Sequence, residues 1–359
     1  MMAHYTEKPQ SPPGHGESDA AFAQFRAPSF FTTRTPFRIS FFGGGTDYPE
    51  WYRREGGAVL STSIDKYCYI SGRWLPPFFP TSYRIVWSHI ETVSSIDDIL
   101  HPAVRNALRM FGFANNPGLE VHHQADLPAR TGVGSSSAFA VGLIRLLTAL
   151  RGQTIDNGQL FGKAIELERD WIKDAVGVQD QVATAIGGLN VIRFGQDGGI
   201  TVTPLIISGS RRRALENRLM LVYTGLSRDS SQLAQNIIDN LDRRTAVLRR
   251  MQAMVDQARA LLEDDGDLDD FGRMLDETWQ LKRSLAASIS NERIDSIYTA
   301  ARQAGALGGK LLGAGTSGFL LFYVRPEQRE AVRQATAPLL EVPFRFESKG
   351  SIILTNECD

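Results

Sequence analysis

The chain has 359 residues, 42% of them hydrophobic and 22% charged, which is enough apolar material to bury a sizeable core and excludes disorder throughout. Its 39 basic and 40 acidic side chains leave a formal net charge of −1, so no global field draws it to nucleic acid or to an anionic membrane, and an anionic ligand has to be held by local groups. No apolar run approaches the roughly 20 residues of a membrane span. The two cysteines, Cys68 and Cys358, show no metal-type spacing, which fits a reducing, cytoplasmic setting without a disulfide framework.

The length predicts two domains, 33–209 and 210–359. They follow a polar tail, 1–32, which carries Pro9, Pro12, Pro13, Gly14 and Gly16 and has no apolar leader core. Phe37, Ile39 and Phe41 alternate with Arg38 and Ser40, predicting a strand from about residue 35 that runs into Gly43-Gly44-Gly45-Thr46-Asp47. Strands are expected over 58–70 and 83–87, with Pro76, Pro77 and Pro80 between them. Val104, Leu108 and Phe111 fall at near-helical spacing; Leu119, Val121 and His123 then alternate as a strand that ends at Asp126-Leu127-Pro128. Residues 138–150 are apolar almost all round and predict a buried helix. Thr154 or Asp156 caps a second helix running to about Trp171, a short helix covers 179–186, and strands over 189–194 and 200–205 close this half. The polar, basic stretch 208–213 reads as a domain boundary. Beyond it come a strand over 218–224, largely helical sequence over 230–304 and a glycine-rich loop over 308–318. The chain closes with a strand over 319–324, a helix over 326–339 and strands near Phe344 and Ile352.

Four features carry chemistry. Gly132-Val133-Gly134-Ser135-Ser136-Ser137 leads straight into the buried helix. The first turn of a helix leaves N–H groups unpaired and carries partial positive charge, both of which phosphate oxygens satisfy. A loop that merely caps its helix is the alternative, and no lysine follows the second glycine as a P-loop requires. Glu168 and Asp180 are the second feature: a hard cation such as Mg²⁺ takes one or two carboxylates plus substrate phosphates, and another carboxylate can orient an attacking hydroxyl. Two ordinary solvated carboxylates fit the same residues. Third, Arg38 can stabilise charge in flight, and Asp47 on its glycine loop can bind sugar hydroxyls or simply close a turn. Fourth, the loop 313–318 packs near phosphate or substrate, or else is a helix C-cap with a tight turn. The acidic run 264–270 lacks the terminal glutamate of a calcium loop. His122-His123 reads as one inward and one outward strand residue, and Arg211-Arg212-Arg213 as a solvated linker face.

In order along the chain, these pieces resemble the GHMP kinases, the superfamily of galactokinase, homoserine, mevalonate and phosphomevalonate kinases. Residues 35–48 look like the substrate-side motif, 127–138 like the ATP-phosphate motif and 310–318 like the third motif. The wording of 34–48 and of Ser63-Ile64-Asp65-Lys66-Tyr67-Cys68-Tyr69-Ile70 is similar to the D-glycero-D-manno-heptose 7-phosphate kinases. The resemblance implies an α+β fold of two domains with the active site in the cleft between them, and a left-handed βαβ crossover that departs from the usual hand. It also implies ATP and Mg²⁺, a small-molecule sugar phosphate as the other partner, and transfer to the anomeric hydroxyl. The product would feed nucleotide-activated heptose for surface polysaccharide.

Carried over by motif, Asp180 is the catalytic aspartate with Arg38 beside it, and Glu168 and Ser136 hold the metal. Pro128, Gly132, Val133, Gly134, Ser135, Ser136 and Ser137 hold the triphosphate; Gly44, Gly45, Thr46, Asp47, Gly315 and Thr316 face the substrate. Two departures stand out. Galactokinases carry a glutamate-histidine pair before the threonine-aspartate, and many members have glycines at Thr316-Ser317. Arg34, Lys66, Arg73 and Lys349 are the candidates for the sugar's own phosphate. Another sugar such as fucose, an unphosphorylated anomeric sugar, a non-catalytic sensor on the same fold and a homo-oligomer all stay open at this point.

Overall fold

In the computed structural model, which describes residues 30–75, 78–114, 118–225, 231–264 and 266–356, the first strand, β1, spans Phe30–Phe42. It starts before residue 35 because the inward–outward alternation continues upstream, with Phe31, Thr33 and Thr35 buried between more exposed neighbours. Most of the expected tail, residues 1–29, lies outside the described residues, as do Pro76, Pro77 and Cys358. A short helix, α1 (Pro49–Glu55), was not legible from spacing. Proline stands in its first turn, where the missing N–H costs nothing, and it buries Trp51 and Tyr52.

β2 (Gly57–Leu75) is the spine of a nine-stranded sheet. One edge pairs antiparallel with β1 along its length. The other edge pairs first with β6 (Leu189–Phe194) and then, beyond residue 67, with β5 (Gly118–Ala125). β3 (Tyr83–Val86) runs parallel to β5, β4 (Ile90–Val93) pairs with β3, and β7 (Ile200–Pro204) with β6. The long apolar helix, α3 (Ser135–Leu150), lies directly on β1 and β2. A Cβ at Gly142 would stand 3.0 Å from Thr35 Oγ1 and 3.3 Å from Ile70 Cδ1, so glycine there sets how closely the helix packs. α2 (Pro102–Met110) and α4 (Asn157–Glu166) flank it. Asp156 caps α4 by accepting from Gln159 N, and the expected continuation to Trp171 is a π-helical turn, Leu167–Trp171.

The second half holds a four-stranded antiparallel sheet, ordered β11 (Leu340–Val342), β8 (Leu219–Tyr223), β10 (Phe319–Val324), β9 (Ala306–Leu311). Its helices are α6 (Gly209–Glu216), α7 (Ser231–Asp239), α8 (Thr245–Glu263), α9 (Leu268–Leu285), α10 (Glu292–Gln303) and α11 (Arg329–Ala335), the last shorter than expected. β12 (Phe346–Glu347) and β13 (Ile352–Asn356) then return to the nine-stranded sheet, beside β2 and β1. α5 (Gln179–Ile186) matches its expected span.

Two expectations are corrected here. Residues 208–213 are not a solvated linker: Ser208 caps α6, and Arg211 donates to the carbonyls of Leu261, Leu262 and Gly266 at the end of α8. A cation there complements the helix C-terminus. Gly308 and Gly309, expected in a loop, are strand. A Cβ at Gly308 would stand 1.9 Å from Gly272 O, so these glycines let α9 pack directly on β9. The histidine pair does split, His123 against the Phe139 ring of α3 and His122 beside Glu120. None of the described helices is long and apolar enough to cross a membrane.

Candidate active site

The loop 128–137, expected to hold phosphate and called the phosphate loop below, is fixed from within and from behind. Thr131 Oγ1 donates to Pro128 O at 2.7 Å, and Gly132 and Gly134 take φ values of +81° and +75° that favour glycine. Gly134 is the N-cap of α3, so Ser135, Ser136 and Ser137 present the helix's first turn. Ser136 is exposed; Ser135 Oγ accepts from Arg130 N, and Ser137 Oγ donates to Glu168 Oε2 at 2.7 Å. The third motif backs this loop: a Cβ at Gly313 would meet Gly132 Cα at 2.4 Å, one at Gly318 would meet Thr131 O at 2.1 Å, and Phe319 N donates to Thr131 O. Thr316 is tied elsewhere. Its N–H donates to Ile289 O and its carbonyl accepts from Asn291 Nδ2. Gly315 is buried beside it.

Asp180 lies in the first turn of α5. Arg38 Nε and Nη2 donate to its two oxygens at 2.6 and 2.5 Å, a bidentate pair, while Arg38 Nη1 donates to Gly132 O at 2.6 Å. One arginine therefore spans the carboxylate and the phosphate loop. The arginine is buried and Asp180 partly open, with its side chain 23% exposed. A Cβ on Gly134 would come within 3.0 Å of Arg38 Cγ and 3.6 Å of Asp180 Oδ2, so that glycine keeps loop and pair together.

Glu168 sits on the π turn, against the start of α3. Its Oε2 accepts from Ser137 Oγ and from Gln181 Nε2 at 2.5 Å. Burial pushes its carboxyl up to about 7, against the opposing pull of those bonds. Asp47, buried, accepts from Gly45 N at 3.0 Å and Gln179 N at 3.4 Å. Burial, then the neighbouring Asp180 charge, raises its pKa. Gly177 makes room for it, since a Cβ there would stand 1.9 Å from Asp47 Oδ2. Thr46 is placed differently from the expectation that it faces substrate. Its fully buried hydroxyl lies 2.8 Å from Gly43 O and 2.9 Å from Ala58 O and closes the loop.

The fold thus brings Arg38, Asp47, Glu168, Asp180 and the phosphate loop to one place, with Gly44 and Gly45 beside Asp47. Of the four basic candidates for a sugar phosphate, Lys349 donates its backbone N–H to Glu347, which also accepts from Tyr67. Arg73 pairs with Glu120 and Lys66 with Asp65, while Arg34 lies over the Tyr67 ring. Sequence reasoning missed Lys282 and Lys310. Lys282 Nζ donates to Leu311 O at 2.8 Å and to Gly313 O, and burial, then the Arg38 charge, brings its pKa down to about 7. Lys310 Nζ donates to the carbonyls of Ser40 and Phe41, both at 2.9 Å. It also passed over Gln179 and Gln181, which flank Asp180 in sequence and were a readable signal.

A helix-start anion loop joined by an arginine to a partly open carboxylate is the equipment of a phosphotransferase. Two family models match the chain, GHMP kinases N terminal domain over residues 98–188 and GHMP kinases C terminal over residues 237–339. The chain belongs to the GHMP kinases and is a sugar kinase phosphotransferase of that family, which uses ATP. It is 26% identical over 307 residues to the D-glycero-alpha-D-manno-heptose 7-phosphate kinase of Campylobacter jejuni, covering 83% of this chain and 90% of that one. It is 27% identical to the bifunctional fucokinase/GDP-fucose pyrophosphorylase of Arabidopsis thaliana, covering 83% of this chain but 30% of the relative. Among solved structures, a D-glycero-D-manno-heptose 1-phosphate kinase from Bacteroides thetaiotaomicron superposes with a TM-score of 0.73 at 21% identity, covering 90% and 99% of the two chains. A Lactococcus lactis galactokinase gives 0.69 at 16% identity, covering 94% and 99%.

Proposed function

We propose that this kinase phosphorylates the anomeric hydroxyl of D-glycero-D-manno-heptose 7-phosphate with ATP, giving the 1,7-bisphosphate. The observation that carries the reading is the Arg38 bridge between Asp180 and Gly132, because it sets an acceptor-side carboxylate against the loop that would hold the triphosphate. Each Asp180 oxygen keeps a lone pair beyond its arginine bond, so the carboxylate can still accept the substrate hydroxyl's hydrogen bond. As the sugar oxygen bonds to the γ-phosphorus, the bond to the β-phosphate oxygen breaks, ADP leaves, and the hydroxyl proton passes to Asp180 or to water. Arg38 orients the carboxylate and balances charge near the transferring group. Phosphoryl transfer needs little covalent help from the protein, so catalysis rests mainly on this positioning and on charge stabilisation.

The residues present fit a divalent cation. Among the described residues no cluster of three or more His, Cys, Asp and Glu gathers. One carboxylate plus hydroxyl and phosphate oxygens is what Mg²⁺ accepts. Glu168 and Ser136 would hold it, with the buried, unpaired Oε1 of Gln181 a further oxygen nearby. When bound with the triphosphate, such an ion neutralises phosphate charge. The named relatives differ in where the sugar already carries phosphate, and fucokinase relatives favour fucose as a second reading.

Coupled ADP release with heptose 7-phosphate, heptose 1-phosphate and L-fucose, each with wild type and Asp180→Asn, tests the proposal. Turnover of the 7-phosphate alone, lost by about a hundredfold or more in the variant, is expected. Turnover of fucose but not the 7-phosphate replaces the heptose reading, and an undiminished Asp180→Asn removes Asp180 from the mechanism.

A further inference from the structure

Ser40 Oγ, Ser61 Oγ and Gln179 Oε1 are buried and have no partner within the protein. Ser40 and Ser61 are opposite each other on β1 and β2, so their side chains share a face. Arg38, two residues before Ser40, points the same way. The start of α5 covers that face: Ser63 Oγ donates to Ala183 O, and Gln179, one residue before Asp180, is a hydrogen-bonding neighbour of Asp47. Ser40 and Gln179 are 7% and 8% exposed, so each is more than nine-tenths buried.

Gly44 shows what the two side chains face. A Cβ at Gly43 would stand 1.9 Å from Ala58 O, and Gly45 has φ +95°, so packing and backbone demand those two glycines. Neither reason holds at Gly44, whose φ is not in the left-handed region. A Cβ there would meet nothing closer than Ser40 Oγ at 3.9 Å and Gln179 Nε2 at 4.0 Å. The fold would accept a side chain at 44. What its absence preserves is room beside the Ser40 hydroxyl and the Gln179 carboxamide, on the loop that carries Asp47. A buried polar atom left unpaired carries an uncompensated desolvation cost. A ligand bringing its own hydroxyls removes that cost.

We propose that Ser40 Oγ and Gln179 Oε1 bind acceptor hydroxyls adjacent to the one phosphorylated, over Gly44. This subsite selects a sugar, with hydroxyls on neighbouring carbons, over an acceptor such as mevalonate that has a methylene next to the reacting hydroxyl. The inference rests on the kinase reading and specifies the acceptor class of the same site.

The experiment compares full-length wild type with Ser40→Ala, Gln179→Ala and Gly44→Ala. Acceptors are whichever panel sugar wild type turns over, its analogue lacking the hydroxyl next to the reacting one, and mevalonate. All three variants are expected to stay folded and keep the wild-type KM for ATP while KM for the sugar rises about tenfold. The deoxy analogue should cost wild type about tenfold in kcat/KM and cost Ser40→Ala or Gln179→Ala little further. Turnover of fucose in place of the heptose sinks the heptose reading but tests the subsite equally well. A sugar KM within twofold of wild type in all three variants overturns the subsite, as does the full deoxy penalty in both alanine variants. Turnover of mevalonate and no sugar also overturns it. If nothing is turned over, calorimetric titration of the sugars into protein with a non-hydrolysable ATP analogue decides. Sugar binding weakened in the variants supports the subsite, and no binding, or binding equal to wild type, overturns it.

Discussion

Glu168 is a buried carboxylate whose ionisation is set well above its free value. Its carboxyl ionises near 4.5 in the unfolded chain and at about 7 when buried against Ser137 and Gln181. Between those values the native state holds a proton that the unfolded state has lost, so this group makes stability fall as pH rises from about 4.5 to 7. The full span corresponds to roughly 3 kcal/mol. Without nucleotide, urea unfolding from pH 5 to pH 8 should therefore show wild type losing stability relative to Glu168→Gln, which keeps both hydrogen-bond partners but cannot ionise. Parallel pH curves for the two proteins would show that Glu168 is not a neutral acid in the free protein. With Mg²⁺ and an ATP analogue the carboxylate is the useful form, and the difference should shrink. At this scale the sequence was readable where a motif carried the residue: Arg38, Asp47, Glu168 and Asp180 do converge. Ser40 and Lys282 were not readable, because a strand serine and a helix lysine look ordinary until the burial of their polar atoms is seen.

Loops of the two halves hold one another through glycine contacts. The phosphate loop and the third motif touch at Gly132 and Gly313, where no side chain fits between them, and Lys282 fastens the third motif through Leu311 O and Gly313 O. Gly313 has φ +70°, and its Cβ would overlap Gly132. Gly313→Ala should cost on the order of 2–4 kcal/mol, from backbone strain plus the clash, and should raise KM for ATP more than KM for the acceptor. Gly112→Ala is the control. That residue has φ +63° but open space around its Cβ, so strain alone should cost about 1–2 kcal/mol and leave both KM values unchanged. Equal effects at the two positions, in chemical denaturation and in kinetics, would mean that the loop contact is unimportant. Element periodicity was legible for α3 and α5, whose burial patterns are strong. It failed for α6, where Arg211-Arg212-Arg213 resembled solvated linker because the carbonyls that Arg211 and Arg212 satisfy lie 50 to 134 residues away in sequence. It failed again at Gly308-Gly309, where the need for glycine comes from a helix packed across the strand.

On the scale of the whole molecule, sequence division into 33–209 and 210–359 does not describe how the apolar interior is shared. One core joins Phe37, Phe41 and Leu143 to Leu221, Phe271 and Tyr323; the other joins Trp51, Val59 and Val182 to Trp279, Leu311 and Phe322. β12 and β13 cross back to the first sheet, and Lys310 of β9 ties its ammonium to the Ser40 and Phe41 carbonyls of β1. Such pairings join residues about 270 or more positions apart, so no local pattern announces them. They carry a consequence for cooperativity. Chains with two domains commonly unfold in separate steps. Here neither half can open without exposing apolar surface that the other half covers, and that surface contributes on the order of 25 cal/mol per Å². Equilibrium unfolding in urea should therefore be one transition. It can be followed through Trp51 in one variant and Trp279 in another, the remaining tryptophans being replaced by phenylalanine. Both reporters are fully buried, one on each side of residue 209, and their midpoints should coincide with each other and with far-ultraviolet circular dichroism. Separated midpoints would show that the active-site halves fold independently and meet only as docked domains, in which case the Arg38 bridge, whose two ends lie within the first half, would survive loss of the second.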